Sequence, residues 1–168
     1  MTDHLSAIID IGTQAGEILS SHFYSAFAHS ITTKSDKSPV TQADIAGNNF
    51  ITDALKKIDA SIPILSEENN IPDFTVRKTW KKYWLIDPLD GTRGFISRSP
   101  EFCVNIALIE NHQAVLGVIY SPIEKICYYA EKNHGAFFFC GTEIIINNNA
   151  GIGLCDAGFS CRFDKPLY

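Results

Sequence analysis

No stretch of the chain approaches the roughly twenty consecutive apolar residues that a membrane-spanning helix needs. Its first ten residues, Met1 to Asp10, carry acids where a secretion signal carries Lys or Arg. The expectation is a cytoplasmic protein without a transmembrane segment, at most peripherally associated with the inner membrane face. Basic residues are the minority charge, 14 Lys and Arg against 19 Asp and Glu, for a net charge of −5. Such a surface repels polymeric nucleic acid unless a local basic patch reverses the field, so a small substrate or a metal ion is the better-matched partner. Paired cysteines are lacking too. The five, Cys103, Cys127, Cys140, Cys155 and Cys161, form no CxxC and are odd in number. Three of them lie in apolar strand-like runs, as reduced, buried thiols do. His112 and His134 stand without the tight partner spacing usual in zinc sites. Repeats, low-complexity tracts and a Ser-His-Asp arrangement are also missing. What remains is 168 residues, 45% hydrophobic and 20% charged, enough for one folded domain with a core.

Apolar residues from His4 to about Phe27 (Leu5, Ile8, Ile9, Ala15, Ile18, Leu19, Phe23) recur at spacings of three, four and seven, which predicts an amphipathic helix. The polar stretch Thr32 to Pro39 reads as a strand edge or loop. Thr41 then offers a hydroxyl cap with Asp44 three residues on, and Ile51, Ala54, Leu55 and Ile58 supply the buried face of a second helix. Two short apolar strands follow, Ile62 to Ser66 and Tyr83 to Ile86, and each stops at an acid, Glu67-Glu68 and Asp87 respectively. Between them Asn69 to Lys82 is a polar segment. Beyond Phe102, the runs 102–109, 114–121, 126–130, 136–139 and 143–146 are β-rich and joined by short polar turns, an antiparallel meander. The class is α+β, with two N-terminal helices packed on one face of a mainly antiparallel sheet.

Chemistry concentrates in Asp87-Pro88-Leu89-Asp90-Gly91-Thr92, directly after a strand. Pro88 fixes one torsion and Gly91 permits an unusual one, so a sharp turn can aim Asp87, the Leu89 carbonyl and Asp90 at one point. Oxygen-only donors suit a hard cation such as magnesium, which takes octahedral oxygen at about 2.1 Å and keeps waters and phosphate oxygens in its shell. Glu67 joins the cluster if its strand neighbours that of Asp87, and with Asp44 the burial of so many acids calls for a metal. Gly91 and Thr92 can open a helical turn whose free amides face a phosphate oxygen. Each piece alone has a plainer reading: Asp-Gly pairs are often mere turns, Glu67-Glu68 a solvated strand end, Asp44 a first-turn helix acid, and Arg77-Lys78 with Lys81-Lys82 a wet surface.

Their order carries more. Ser38 to Asp44 (SPVTQAD), Leu65 to Glu68 (LSEE) and Trp84 to Ile96 (WLIDPLDGTRGFI) together resemble the inositol monophosphatase superfamily of magnesium-dependent phosphatases. With Glu101 to Ile109 (EFCVNIALI), the chain looks most like the bacterial 3'(2'),5'-bisphosphate nucleotidases of sulfur assimilation; inositol monophosphatases generally carry Asn where Gly94 stands. The resemblance runs from the first helix to about Asn147. It implies the first half of a layered αβαβα sugar-phosphatase fold, and a phosphate monoester hydrolase that converts 3'-phosphoadenosine 5'-phosphate to AMP and phosphate. An inositol or sugar monophosphate is the alternative substrate. It makes Glu67, Asp87, Asp90 and the Leu89 carbonyl ligands of Mg2+. Glu67, Thr92 and Asp44 become catalytic residues, and Gly91 with Thr92 the phosphate-binding turn.

The resemblance also implies roughly a further hundred residues, including a Trp-Asp motif whose aspartate shares a second metal. Residues 1–147 are therefore expected to form the N-terminal α+β domain, and 148–168 a divergent or truncated tail. Two expectations follow: weak turnover, as of an inactive metal-binding fragment unless Asp156 or Asp164 substitutes, and self-association through an exposed sheet face.

Overall fold

A computed structural model describes residues 3–25, 32–33, 39–140 and 143–147. The expected tail with Cys155, Asp156, Cys161 and Asp164, and the end of the first expected helix at Phe27, lie outside them. The order is α1 (Asp3–Tyr24), β1 (Thr32–Thr33), β2 (Pro39–Val40), α2 (Gln42–Ile58), β3 (Ile64–Ser66), α3 (Phe74–Arg77), β4 (Lys82–Asp90) and α4 (Thr92–Ile96). Five more strands follow: β5 (Cys103–Glu110), β6 (Gln113–Ser121), β7 (Ile126–Glu131), β8 (Gly135–Cys140) and β9 (Glu143–Asn147). β1 pairs with β2, and β3 to β9 form one seven-stranded sheet in sequence order. Only β3 and β4 pair in parallel; the other neighbours in that sheet are antiparallel. This is the α+β arrangement expected from the sequence.

Both long helices lie on one face of the sheet, α1 against β5, β6 and β7 and α2 against β4 and α1. Leu5, Ile8, Ala15, Leu19 and Phe23 of α1 and Ile51 and Leu55 of α2 are buried there, with Ala54 and Ile58 packed at the margin. The register row Ile86, Ile106, Val118 and Tyr129 meets them from the sheet. α1 approaches so closely that a Cβ on Gly16 would stand 2.5 Å from the Tyr120 ring. Next to that row, Asp87, Asn105, Ile119 and Tyr128 align across four strands. By the strict alternation of strand side chains, this second row faces away from α1 and α2.

Three expectations need correction. β4 does not stop at Asp87 but runs to Asp90, through a register shift. The polar segment before it contains α3, which begins where Asp73 accepts the Thr75 N–H at 2.8 Å as an N-cap. Cys140 is exposed at the end of β8, whereas Cys103 and Cys127 are buried free thiols as expected. Burial pushes the Cys127 thiol up to about 12. Among the residues whose burial is described, the large apolar side chains left exposed are Tyr24, Ile45, Ile71, Phe74 and Val76, none of them in β3 to β8. No helix among them is long and apolar enough to cross a membrane.

Candidate metal centre

In a regular strand, positions three apart face opposite sides, which would separate Asp87 from Asp90. The pairing of β4 with β5 removes that difficulty. Asp87 pairs with Asn105 and Asp90 with Cys103, so β4 inserts Pro88 and Leu89 where β5 has Val104 alone. This extra residue is a β-bulge, and it restores Asp90 to the side of Asp87. Pro88 suits the bulge because it has no N–H to lose from the ladder. The burial pattern agrees: Ile86 and Leu89 lie in the core beneath the helices, each 2% exposed. The two acids stand on the outer face.

Glu67 arrives by the parallel pairing. Ser66 is in register with Ile86, and the Glu67 N–H continues the ladder to the Ile86 carbonyl at 3.3 Å, placing Glu67 beside Asp87. The two carboxyls are in hydrogen-bonding contact. Burial first, then the charges of Glu67 and Asp90, push the Asp87 carboxyl well above the usual carboxylate range; the Leu89 N–H, at 3.2 Å, is the opposing influence. Asp90 is raised as well, by burial and then by Glu67, against hydrogen bonds from Asn105 and the Gly91 N–H. Among the described residues no cation figures in the influences on either acid. Among the described residues, no three His, Cys, Asp or Glu side chains are already spread into a ready-made metal cage. Glu67 and Asp87 instead lean on one another. Buried Asp87 and half-buried Asp90, with the exposed carboxyl of Glu67 beside them, make an all-oxygen acid cluster that fits a hard divalent ion, whose charge would relieve their mutual repulsion.

Asp44 takes a different place. It is fully buried, and its Oδ2 accepts both the Thr41 N–H at 2.7 Å and the Thr41 hydroxyl at 2.6 Å, completing the capping box that starts α2. Its Oδ1 accepts the Thr92 hydroxyl at 3.0 Å. It is absent from the charges acting on Asp87 and Asp90, so the structure groups it with Thr92 rather than with the other three acids. Thr92 Oγ1 also lies 3.2 Å from the Leu89 carbonyl. A hydroxyl has one proton; when the Leu89 carbonyl is engaged elsewhere, that proton belongs to Asp44.

Gly91 ends β4 at φ 95°, a left-handed conformation, and starts α4 without a side-chain cap. Its missing Cβ matters twice, since one would stand 2.8 Å from the Glu101 carbonyl. In any helix the first amides lack an acceptor within the helix itself.

The sequence profile of the inositol monophosphatase family matches residues 1–154. The chain belongs to this family. Among curated relatives it is 45% identical over 140 residues to the 3'(2'),5'-bisphosphate nucleotidase CysQ of Aggregatibacter actinomycetemcomitans, covering 82% of this chain and 51% of the relative. The CysQ of Salmonella typhimurium is 43% identical over 139 residues, covering 83% and 56%. The chain thus spans about half the length of the curated relatives it matches. Of solved structures, the inositol monophosphatase family member CysQ from Bacteroides thetaiotaomicron superposes with a TM-score of 0.71 at 37% identity, over 91% of this chain and 54% of that one. The extragenic suppressor protein suhB from Bartonella henselae gives 0.74 at 29%, over 82% and 52%.

The structure also brings forward residues that the sequence reading passed over. Asn105, inside the apolar β5 run, donates to Asp90. Asn48, one helical turn after Asp44, accepts the Ser66 hydroxyl at 2.6 Å and donates to Asn69 at 2.9 Å. The usable signal was a polar amide at an inward position: Asn48 shares the buried stripe of α2 with Asp44, Ile51 and Leu55.

Proposed function

We propose that this chain carries the metal- and phosphate-binding acids of a magnesium-dependent phosphate monoester hydrolase. Its substrate is 3'-phosphoadenosine 5'-phosphate, converted to AMP and phosphate. The observation that carries the reading is the convergence of the Glu67, Asp87 and Asp90 carboxyls on one sheet face, brought together by the parallel β3–β4 pairing and the bulge in β4. Glu67, Asp87, Asp90 and the Leu89 carbonyl would hold magnesium. When bound, the ion supplies Lewis acidity and charge neutralisation toward a phosphate ester. Glu67 and Thr92 would orient a water for in-line attack on phosphorus. Glu67 would accept the water's proton as the phosphorus–oxygen ester bond breaks, and the leaving ribose oxygen would take a proton from solvent to leave as the free hydroxyl. Asp44 fixes the Thr92 hydroxyl by accepting its hydrogen bond. The turn at Gly91 presents the Thr92 amide, which receives a phosphate oxygen.

The nucleotide is preferred over an inositol phosphate because the relatives at 45% and 43% identity are bisphosphate nucleotidases. Gly94 supports this. A Cβ there would meet the Glu101 carbonyl and Ser99 Cβ at 3.5 Å, ordinary contact, so the fold does not demand glycine at that position.

Phosphate release from 3'-phosphoadenosine 5'-phosphate and from inositol 1-phosphate, with Mg2+ and with EDTA, tests the reading. Release that needs Mg2+ and is faster from the nucleotide is expected, and Asp90→Asn should lose metal affinity and rate together. Equal rates on both substrates would overturn the preference. Metal binding without turnover would overturn the hydrolase reading and leave the metal site.

A further inference from the structure

Asn105 stands opposite Asp87 in the β4–β5 pairing and on the same outer face. Its side chain does not turn to Asp87. It reaches along the bulge, and Nδ2 donates to Asp90 Oδ2 at 3.3 Å. The other end of the amide is held too: Oδ1 accepts the Cys103 thiol at 3.6 Å, from the residue that pairs with Asp90. This fixes the orientation of the amide, since a reversed Asn105 would set its oxygen against a carboxylate oxygen. Asparagine is depleted in strands, and the other inward and outward positions nearby, Val104, Ile106 and Ala107, are apolar.

We propose that Asn105 is the positioning residue of Asp90, tying down one carboxylate oxygen so that the other is presented to the divalent ion. The inference rests on the metal reading given above and assigns to a neutral residue the task of setting that site's affinity. Pro88, which the bulge places between the two acids, has no N–H to perform it. The Gly91 N–H assists from the far side of the turn, while the Cys103 sulfur stands 4.0 Å from the oxygen that Asn105 holds. Without the amide, a carboxylate flanked by Glu67 and Asp87 can rotate or share a proton, and each metal-binding event must reorder it. Outer partners of this kind set metal affinity by about 10- to 100-fold.

The test uses Mn2+ as the probe, followed by electron paramagnetic resonance in titrations of the full chain, with competition by Mg2+. Asn105→Val is expected to raise the Mn2+ dissociation constant about 10- to 100-fold while the chain in EDTA still melts cooperatively. Asn105→Ser, polar but too short to reach Asp90, should do the same, and it carries the comparison if the valine variant is unfolded. Leu116→Ala, in the core beneath the helices, is the stability control; it should lower the melting temperature and leave Mn2+ affinity unchanged. Affinity within twofold of the unsubstituted chain for both Asn105 variants would overturn the assignment with the metal site intact. Failure of the unsubstituted chain to bind Mn2+ would overturn the metal reading and this inference together.

Discussion

Thr92 Oγ1 lies 3.0 Å from Asp44 Oδ1, joining residues 48 positions apart and linking the first turn of α2 to the first residue of α4. The contact explains why a capping acid is fully buried. Asp44 holds the start of its own helix through Thr41 and reaches across to the turn that leaves β4. One carboxylate therefore sets the position of α2 and the direction of the Thr92 hydroxyl.

Replacing Thr92 by Val should remove this direction while keeping shape. The magnesium-dependent rate of phosphate release is expected to fall about 10²-fold, the scale on which misplacing a reacting group acts. Thr92→Ser should retain most of the rate. Both variants should melt near the unsubstituted chain, because Asp44 keeps its two bonds from Thr41. Equal rates in Val and Ser variants would remove Thr92 from the reaction.

The acid cluster makes the metal-free fold sensitive to pH. Asp87 and Asp90 hold their protons more tightly folded than unfolded, mainly through burial. Stability from this source is complete below the unfolded carboxylate value of about 3.9 and is lost as pH rises through the raised folded values. Exposed Asp59 and Asp73, lowered by hydrogen bonds from Ser61 and Thr75, act in the opposite sense, so a variant must be compared at each pH. In EDTA at neutral pH, Asp87→Asn should raise the melting temperature by about 2–4 °C, the shift that ~1 kcal/mol makes at this size. The gain should vanish at acid pH, and Mg2+ should no longer stabilise the variant. Calorimetry with and without Mg2+ reads both.

Much of this was legible in the sequence for physical reasons. Helix periodicity survives in Leu5, Ile8, Ala15 and Leu19 because one face of α1 is wholly buried. The Thr41–Asp44 capping box is local, as are the acids at the ends of apolar strands. The bulge was not legible. Nothing in Asp87-Pro88-Leu89-Asp90 says that β5 will supply one residue against two, yet that count sets both acids on one side. Asn105 and Asn48 were missed for the same reason, since their partners are fixed by cross-strand register and helix docking rather than by spacing along the chain. α3 lay hidden in a polar segment, where a four-residue helix is too short to show a period.

The two glycines around Thr92 should respond oppositely to alanine. At Gly91 the backbone is left-handed, and a Cβ would stand 2.8 Å from the Glu101 carbonyl. Gly91→Ala should cost at least ~1–2 kcal/mol and shift the turn that presents Thr92. Gly94 lies within α4, where a Cβ meets nothing closer than 3.5 Å. Gly94→Ala should instead stabilise by about 0.4–1 kcal/mol through the unfolded chain. Urea denaturation in EDTA compares them; destabilisation of equal size would contradict the conformational argument.

Asn48 gives the sharpest test of how α2 is coupled to Glu67. Its Oδ1 accepts the hydroxyl of Ser66, the residue before Glu67, and Ser66 is only 1% exposed, too deep for bulk solvent to replace that acceptor. Asn48→Leu fills similar volume but leaves that hydroxyl without its acceptor, a cost of about 1–3 kcal/mol. Ser66→Ala should cost less when combined with Asn48→Leu than it does alone, because the stranded hydroxyl is then removed. A double-mutant cycle on unfolding free energies should give a coupling of about 0.5–3 kcal/mol. Because the same bond anchors the end of β3, Asn48→Leu should also weaken Mn2+ binding, and Ser66→Ala should weaken it in the same direction. Additive stabilities with unchanged metal affinity would mean that the parallel β3–β4 pairing alone holds Glu67 beside Asp87.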